Sequence, residues 1–229
     1  MKAELIAALG NDISVVNAAR VSHERVSEFE QDGVNLVDRK LQDKDVKLIK
    51  FLADNGHFTP FTHCMITLRE TVPIFVSRQR FKHTVGFSYN EVSRRYVTDE
   101  PQFYDPPFFR KAAPNVKQGS LAEPVASQSY SKRIYDNLML EANYVYQELL
   151  KACVAPEQAR MVLPQSMYTS YYVTGSLAAF ARAYNLRSDP TAQSEIRELA
   201  LQWNDICASL YPVSWYHLTQ SVKGQENNG

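Results

Sequence analysis

Residues 64–72 read CMITLRETV, and they lead through Pro73 into residues 74–84, IFVSRQRFKHT. Ile66, Leu68, Glu70 and Val72 recur at every second position, which predicts a strand that presents them on one face. Pro73 ends that strand and suits the first turn of a helix, where its fixed φ and missing N–H are tolerated. The reading is a strand running straight into a helix over Pro73 to Thr84. Working outward, residues 43–56, DKDVKLIKFLADNG, place Leu48, Ile49 and Leu52 at helical spacing, with Asp43 as cap and Gly56 as the left-handed stop. Asp99 to Pro124 holds Pro101, Pro106, Pro107, Pro114, Gly119 and Pro124, which predicts a surface loop without a part in catalysis.

Val125 to Val154 reads as one long helix, with Tyr135, Leu138, Ala142, Tyr146 and Leu149 on its apolar face. A short helix PEQARMVL follows from Pro156, then a β-branched and aromatic strand, SMYTSYYVT. Two amphipathic helices complete the pattern: GSLAAFARAYNLR, and a segment opened by Asp189-Pro190 and closed before Pro212. The fold class is mixed α/β and helix-rich, a single domain over residues 1–229 with no internal repeat.

Composition removes several function classes. With 25 Lys+Arg against 25 Asp+Glu the chain is neutral, which argues against a general nucleic-acid coat. No apolar run approaches the ~18 residues a membrane helix needs, and MKAELIAALGND reaches acidic residues too early for a signal peptide, so a soluble cytoplasmic protein is expected. Cys64, Cys153 and Cys207 form no CxxC pair and read as buried free thiols. The eight glycines include no G-x-G pair, so any phosphate is held by side chains or helix ends, and arginine is the residue to follow.

Residues 78–95, RQRFKHTVGFSYNEVSRR, carry five Lys/Arg and the single acid Glu91, a local anion site in a neutral chain. On a helix, Arg78 and Lys82 share one face and Gln79 and His83 the next. A Ser-Tyr-Asn-Glu turn follows Gly86, and an extended NEVSRRY then projects Glu91, Ser93 and Arg95 together, which suits a nucleotide better than bare phosphate. The bland reading is a solvated basic face, or a nucleic-acid patch with Phe81, Phe87 and Tyr89 as stacking platforms.

Here the sequence resembles the flavin-dependent thymidylate synthases, whose signature ends in Asn-Glu-x-Ser-x-Arg-Tyr, as do Asn90, Glu91, Ser93, Arg95 and Tyr96. The likeness continues in NAARVS (17–22), GHFTPFTH (56–63), PIFVSRQ (73–79), ARMVLP (159–164), MYTSYY (167–172) and NLRSDPTAQSEIR (185–197). Aligned on the intact end, the family's Arg-His-Arg falls on Lys82-His83-Thr84; a register starting at Arg78-Gln79-Arg80 displaces that end and is rejected. Ser176-Leu177-Ala178 and Thr191-Ala192-Gln193 depart from the family's Asn-Ala-Arg and His-Ala-Gln, at flavin contacts for the most part. The loop 99–124 and about the last fifteen residues carry no resemblance.

The resemblance implies an α+β fold with a central, mostly antiparallel sheet, and the reductive methylation of dUMP to dTMP. The carbon would come from 5,10-methylenetetrahydrofolate and the reducing equivalents from NADPH through FAD, without a cysteine nucleophile. It implies that Arg187 contacts and polarises the uracil, against the plain alternative of a helix C-terminal arginine facing water. It further implies that Ser93, Arg94, Arg95 and Arg160 hold the phosphate and sugar of dUMP, and that Gln79 and Lys82 reach it from another subunit of a homotetramer. Thr59, Lys82, His83, Thr84, Ser176 and Arg182 fall on FAD positions, and Glu91 on either ligand. His57 and His63 have poor spacing for a metal and read as structural or substrate-adjacent. Tyr89 or Tyr96 is a candidate ring for stacking on a planar group. A same-fold flavoprotein that oxidises NADPH without methylating dUMP is the other alternative.

Overall fold

The computed structural model describes residues 1–30, 40–114 and 119–220. Four strands form an antiparallel sheet in the order β1 (Lys2–Leu9), β2 (Met65–Pro73), β6 (Tyr168–Ser176), β3 (Phe87–Glu91). The alternation in β2 is realised: Ile66, Leu68, Glu70 and Val72 are all buried, opposite Tyr171 and Val173 of β6. That face is covered by α6 (Leu177–Arg187) and α7 (Ser194–Leu210), whose Phe180, Leu199 and Trp203 close the core. Thr67 meets Thr174 at 2.9 Å, and Thr71 meets Ser170 at 3.1 Å, in a hydroxyl ladder across β2 and β6.

Two buried ions interrupt the apolar face. Glu70 accepts from the Trp203 indole at 2.8 Å and the Tyr171 hydroxyl at 2.6 Å, and pairs with Arg80 Nε at 3.3 Å. Arg80 ends α3 (Ile74–Arg80), fully buried, with its guanidinium 4.3 Å from the Phe87 ring and 4.6 Å from the Trp203 ring. Phe81 and Tyr89 pack edge-on to Tyr171 in the same cluster, half-buried against the core. Phe87 fits because its register partner is Gly175, where a Cβ would lie 2.3 Å from the ring.

α3 is shorter than the sequence predicts. It stops at Arg80 and the chain turns at Gly86, φ +80, so Lys82, His83 and Thr84 lie on a loop and do not extend the faces of Arg78 and Gln79. Residues 87–91 are strand, where the sequence reads as a turn, and the strand ends at Glu91; Ser93 and Arg95 therefore do not line up with it. α2 (Asp43–Asp54) has Gln42 at its N-cap position without a side-chain cap bond, Asp43 inside its first turn, and Gly56 following at φ +66. Asp189 is no cap for α7: it accepts from the Thr191 amide at 2.7 Å in a local turn, and the helix begins at Ser194. The segment expected as pure loop contains a hairpin, β4 (Arg110–Ala112) with β5 (Ser120–Pro124).

α4 (Gln128–Lys151) is the longest element, as expected, and α5 (Pro156–Ala159) follows it. The buried stripe of α4 is Met139, Ala142 and Tyr146; Leu138 is 58% exposed, as are Tyr130, Ile134, Leu140 and Tyr144 to similar degrees. Three elements lie outside the sequence reading. β1 is mostly exposed and poor in β-formers; α1 (Asp12–Arg20) is held by an Asn11–Ser14 capping box. α8 (Pro212–Gln220) is capped by a residue far away in sequence, since Asp12 accepts from Val213 N at 3.0 Å and Ser214 N at 2.8 Å. No helix among the described residues is long and apolar enough to cross a membrane.

Candidate active site

α3 separates two clefts. Arg78 faces the first and Gln79, the next residue, faces the second, as the helical rotation of about 100° per residue requires. Both clefts are in the size range of small-molecule sites, about 650 Å³ and about 690 Å³.

The first cleft gathers Arg78 from α3, Glu91 and Arg94 from the end of β3 and the turn beyond it, Arg160 from the turn after α5, and Thr169 and Ser170 from β6. Glu91 accepts from Thr169 Oγ1 at 2.7 Å. Arg94 donates to the Asp99 carbonyl, and Arg160 Nε to the Glu157 carbonyl at 3.3 Å, so both guanidiniums keep their charge and most of their N–H groups. Ser93 and Arg95 do not line this cleft; Arg95 pairs with Glu157 at 3.1 Å, and the Ser93 hydroxyl accepts from the Arg95 amide.

The second cleft holds Gln79 and Arg187 with Arg110, Gln193 and Arg197. A hydrogen-bond chain crosses it: Gln79 Nε2 donates to Gln193 at 2.6 Å, Gln193 to Glu195 at 2.9 Å, and Arg110 forks onto both Glu195 oxygens at 2.8 and 2.9 Å. Arg110 comes from the stretch set aside as loop, and only the hairpin brings it to Glu195. No signal in the sequence singled it out.

Arg187 is the last residue of α6 and does not point freely into water. Its Nε donates to His83 Nε2 at 2.9 Å and its Nη2 to the Gln79 carbonyl at 3.3 Å. Burial, followed by the charges of Arg187, Arg80 and Arg182, pushes His83 down to about 4. His83 is therefore neutral near pH 7 and accepts on Nε2, with its proton on Nδ1. Lys82 and Thr84 are exposed beside it, and Arg182 donates to the Val85 carbonyl at 2.5 Å. Ser176 is buried and its hydroxyl caps α6 at Ala179 N, 3.2 Å, so it supports this loop from beneath.

A third cavity, about 490 Å³, joins two separated segments: Ala18, Ala19 and Ser22 from one, and His57, Phe58, Thr59 and His63 from the other. Thr59 is exposed there and both histidines line it. No group of three metal-ligating side chains occurs among the described residues. Tyr89 is committed to Arg80 and His83 by its hydroxyl, while Tyr96 is 80% exposed.

The cysteines are poorly placed for nucleophilic attack. Cys64 is buried and its thiol is pushed up to about 12 by burial and Asp12. Cys207 is buried and raised further, and Cys153, expected to be buried, is exposed after α4 and lines neither cleft.

The donor set suits a flavin dinucleotide. The Lys82–Gly86 loop and its neighbour Arg182 offer cations for a diphosphate, the Thr84 hydroxyl, and the exposed apolar Val85 beside a neutral imidazole.

The sequence model of the thymidylate synthase complementing proteins matches residues 4–213. A flavin-dependent thymidylate synthase of Thermosipho africanus is 38% identical over 200 residues, 86% of this chain and 81% of the relative. One from Thermus thermophilus is 35% identical over 211 residues, 92% of this chain and 73% of the relative. Among solved structures, the UMP/dUMP methylase PolB of Streptomyces cacaoi, bound with 5-Br dUMP, superposes with a TM-score of 0.80 at 28% identity, covering 96% of this chain and 94% of that one.

Proposed function

The chain belongs to the thymidylate synthase complementing proteins, the flavin-dependent thymidylate synthases, and is a methyltransferase that makes dTMP from dUMP with FAD as cofactor and methylenetetrahydrofolate and NADPH as co-substrates; we propose that it does so in sites shared between subunits. The observation that carries the shared site is the partition at α3: residues assigned to one nucleotide face two clefts of the same chain. Arg160 and Arg94, with Glu91, take the phosphate and sugar of dUMP in the first cleft of one subunit. Gln79, Lys82 and Arg187 reach the uracil from a second subunit. Ser93 and Arg95 complete the phosphate site once Arg95 exchanges Glu157, an exposed partner worth little, for the nucleotide. The exposed apolar residues of α4, Tyr130, Ile134, Leu138 and Tyr144, supply contact area for a homotetramer.

FAD, when bound, supplies the redox chemistry that the side chains of the site do not. The chain's own residues bind and orient. Thr59, Lys82, His83, Thr84 and Arg182 hold the flavin, and Ser176 supports the loop that carries them. Arg187 remains protonated and stabilises negative charge on the uracil carbonyl. Its direction is fixed by His83 and the Gln79 carbonyl before substrate arrives.

Purified protein given dUMP, methylenetetrahydrofolate, FAD and NADPH tests the reading. dTMP that requires NADPH is the expected result. NADPH oxidation without dTMP would instead establish the flavoprotein alternative, and sedimentation as a monomer would remove the shared site.

A further inference from the structure

Arg80 touches neither cleft, yet it is fully buried and charged. An ion pair in an apolar core is no more stable than well-packed hydrophobic side chains, so the Glu70–Arg80 pair needs another explanation. Its hydrogen bonds lead outward. Arg80 Nη1 donates to the Tyr89 hydroxyl at 2.7 Å, and that hydroxyl donates to the His83 carbonyl at 2.7 Å. Burial pushes Tyr89 up to about 12, which keeps the hydroxyl proton in place. The Arg80 Nη2 group has no hydrogen-bond partner, so the guanidinium is fixed by Glu70, Tyr89 and the aromatic rings around it. At the other end of the chain, the His83 ring accepts from Arg187, and the second Arg187 contact goes to the carbonyl of Gln79, next to Arg80.

We propose that Arg80 and Tyr89 are positioning residues for Arg187: the Glu70–Arg80–Tyr89 relay fixes the backbone of His83, and the His83 ring then sets the direction of the Arg187 guanidinium. The proposal rests on the assignment of Arg187 to the uracil. No atom of Arg80 or Tyr89 has to meet a ligand. The relay runs from the sheet through α3 and β3 to the loop, so it ties the geometry of Arg187 to the core. The rest of the loop is held by its backbone, through Arg182 on the Val85 carbonyl at 2.5 Å and the Ser176 amide on the Gly86 carbonyl at 3.2 Å, while the side chains of Lys82, Thr84 and Val85 are exposed; the Tyr89 hydroxyl is the side-chain donor on the His83 carbonyl itself.

Tyr89→Phe tests this, because it keeps the ring packed against Phe81 and Tyr171 and removes one hydroxyl. The groups that face His83 are Arg187 and Arg182 from α6, Arg80 from α3 and Tyr89 from β3. With the carbonyl anchor gone, the His83 ring gains water and moves off the arginines. Burial and the three arginines push the ring down to about 4 in the parent, and the midpoint followed by NMR is expected to lie about one unit or more higher in the variant, towards the ordinary 6.5. Turnover of dUMP is expected to fall about 5- to 10-fold with KM within about twofold, the loss of one hydrogen bond acting on orientation. Arg80→Lys, which keeps the charge without the fork, is expected to give the same two changes. A folded Tyr89→Phe protein with an unmoved His83 midpoint, or a moved midpoint and unchanged turnover, overturns the proposal. A parent enzyme without dTMP formation overturns the assigned reaction instead, and the ligand-free titration still decides whether the relay holds His83.

Discussion

The two clefts that flank α3 each carry three arginines and treat them in opposite ways. In the first, Arg78, Arg94 and Arg160 make no ion pair with a described residue, and the hydrogen bonds of Arg94 and Arg160 go to backbone carbonyls. In the second, Arg110 is neutralised by Glu195 and Arg187 is tied to His83 and to the end of α3, while the guanidinium of the third, Arg197, reaches only the Ser194 hydroxyl among the described residues, at 3.5 Å. Unpaired, exposed guanidiniums are suited to capturing a dianion. Guanidiniums already held in place are suited to stabilising charge that develops during a reaction, because they need not reorganise at that moment. Under the proposed function, capture falls to one cleft and chemistry to the other.

The largest effect should therefore come from the second cleft. Arg187→Ala is expected to lower dTMP formation by about 10²- to 10³-fold, as for loss of a preorganised donor, while FAD absorbance of the loaded protein is retained. Full turnover in this variant would remove Arg187 from the mechanism. Arg160→Ala acts on capture: KM for dUMP is expected to rise about 10- to 50-fold, the loss of a charge-assisted bond to phosphate, with kcat within a few-fold. A variant that loses kcat and spares KM would reverse the two roles.

How much of this contrast was legible in the sequence depends on the range of the interactions. β2, α3, α6 and the long α4 were readable because their periodicity is local, and Pro73 marked the junction between strand and helix. The anion character of residues 78–95 was also readable, since it is compositional. What failed was the end of the helix, expected at Thr84: α3 stops at Arg80, the chain turns at Gly86 and the Tyr89 hydroxyl holds the loop against the core, so Lys82 and His83 lie outside the helix. The burial of Arg80 was invisible because its partners, Glu70 and Trp203, are 10 and 123 positions away. Arg110 was missed for the same reason, its partner Glu195 lying 85 residues on. The resemblance named Arg187 and Arg160 without revealing that one chain places them in different clefts.

A smaller effect separates the clefts by pH. His83 binds its proton near 6.5 when unfolded and near 4 when folded. Between those values the unfolded chain holds more protons, so stability rises with pH across the window and is lost as pH falls from 6.5 to 4. The full depression corresponds to about 3 kcal/mol, and the partial exposure of the ring reduces this to about 1–2 kcal/mol. Denaturant melts at pH 6.5 and 4.5 should show His83→Gln losing less stability on acidification than the parent by that margin. Equal losses would mean that the ring is not held between Arg187 and Arg182 in solution.

Salt gives the smallest effect and the sharpest separation of the two roles. Raising ionic strength from about 0.1 M to about 1 M shortens the Debye length from about 10 Å to about 3 Å, which weakens attraction between a dianionic nucleotide and exposed arginines. KM for dUMP is therefore expected to rise by about 3- to 5-fold over that range, through Arg78, Arg94 and Arg160. The contacts of Arg187 are short, half-buried and directed at a neutral imidazole and a carbonyl, so added ions have little charge to screen there. kcat should stay within about 1.5-fold, and Arg160→Ala should flatten the KM response while leaving kcat as insensitive as before. A kcat that falls in step with the rise in KM would show that the charge stabilising the uracil is as solvent-exposed as the charge capturing the phosphate, and the division of labour across α3 would not hold.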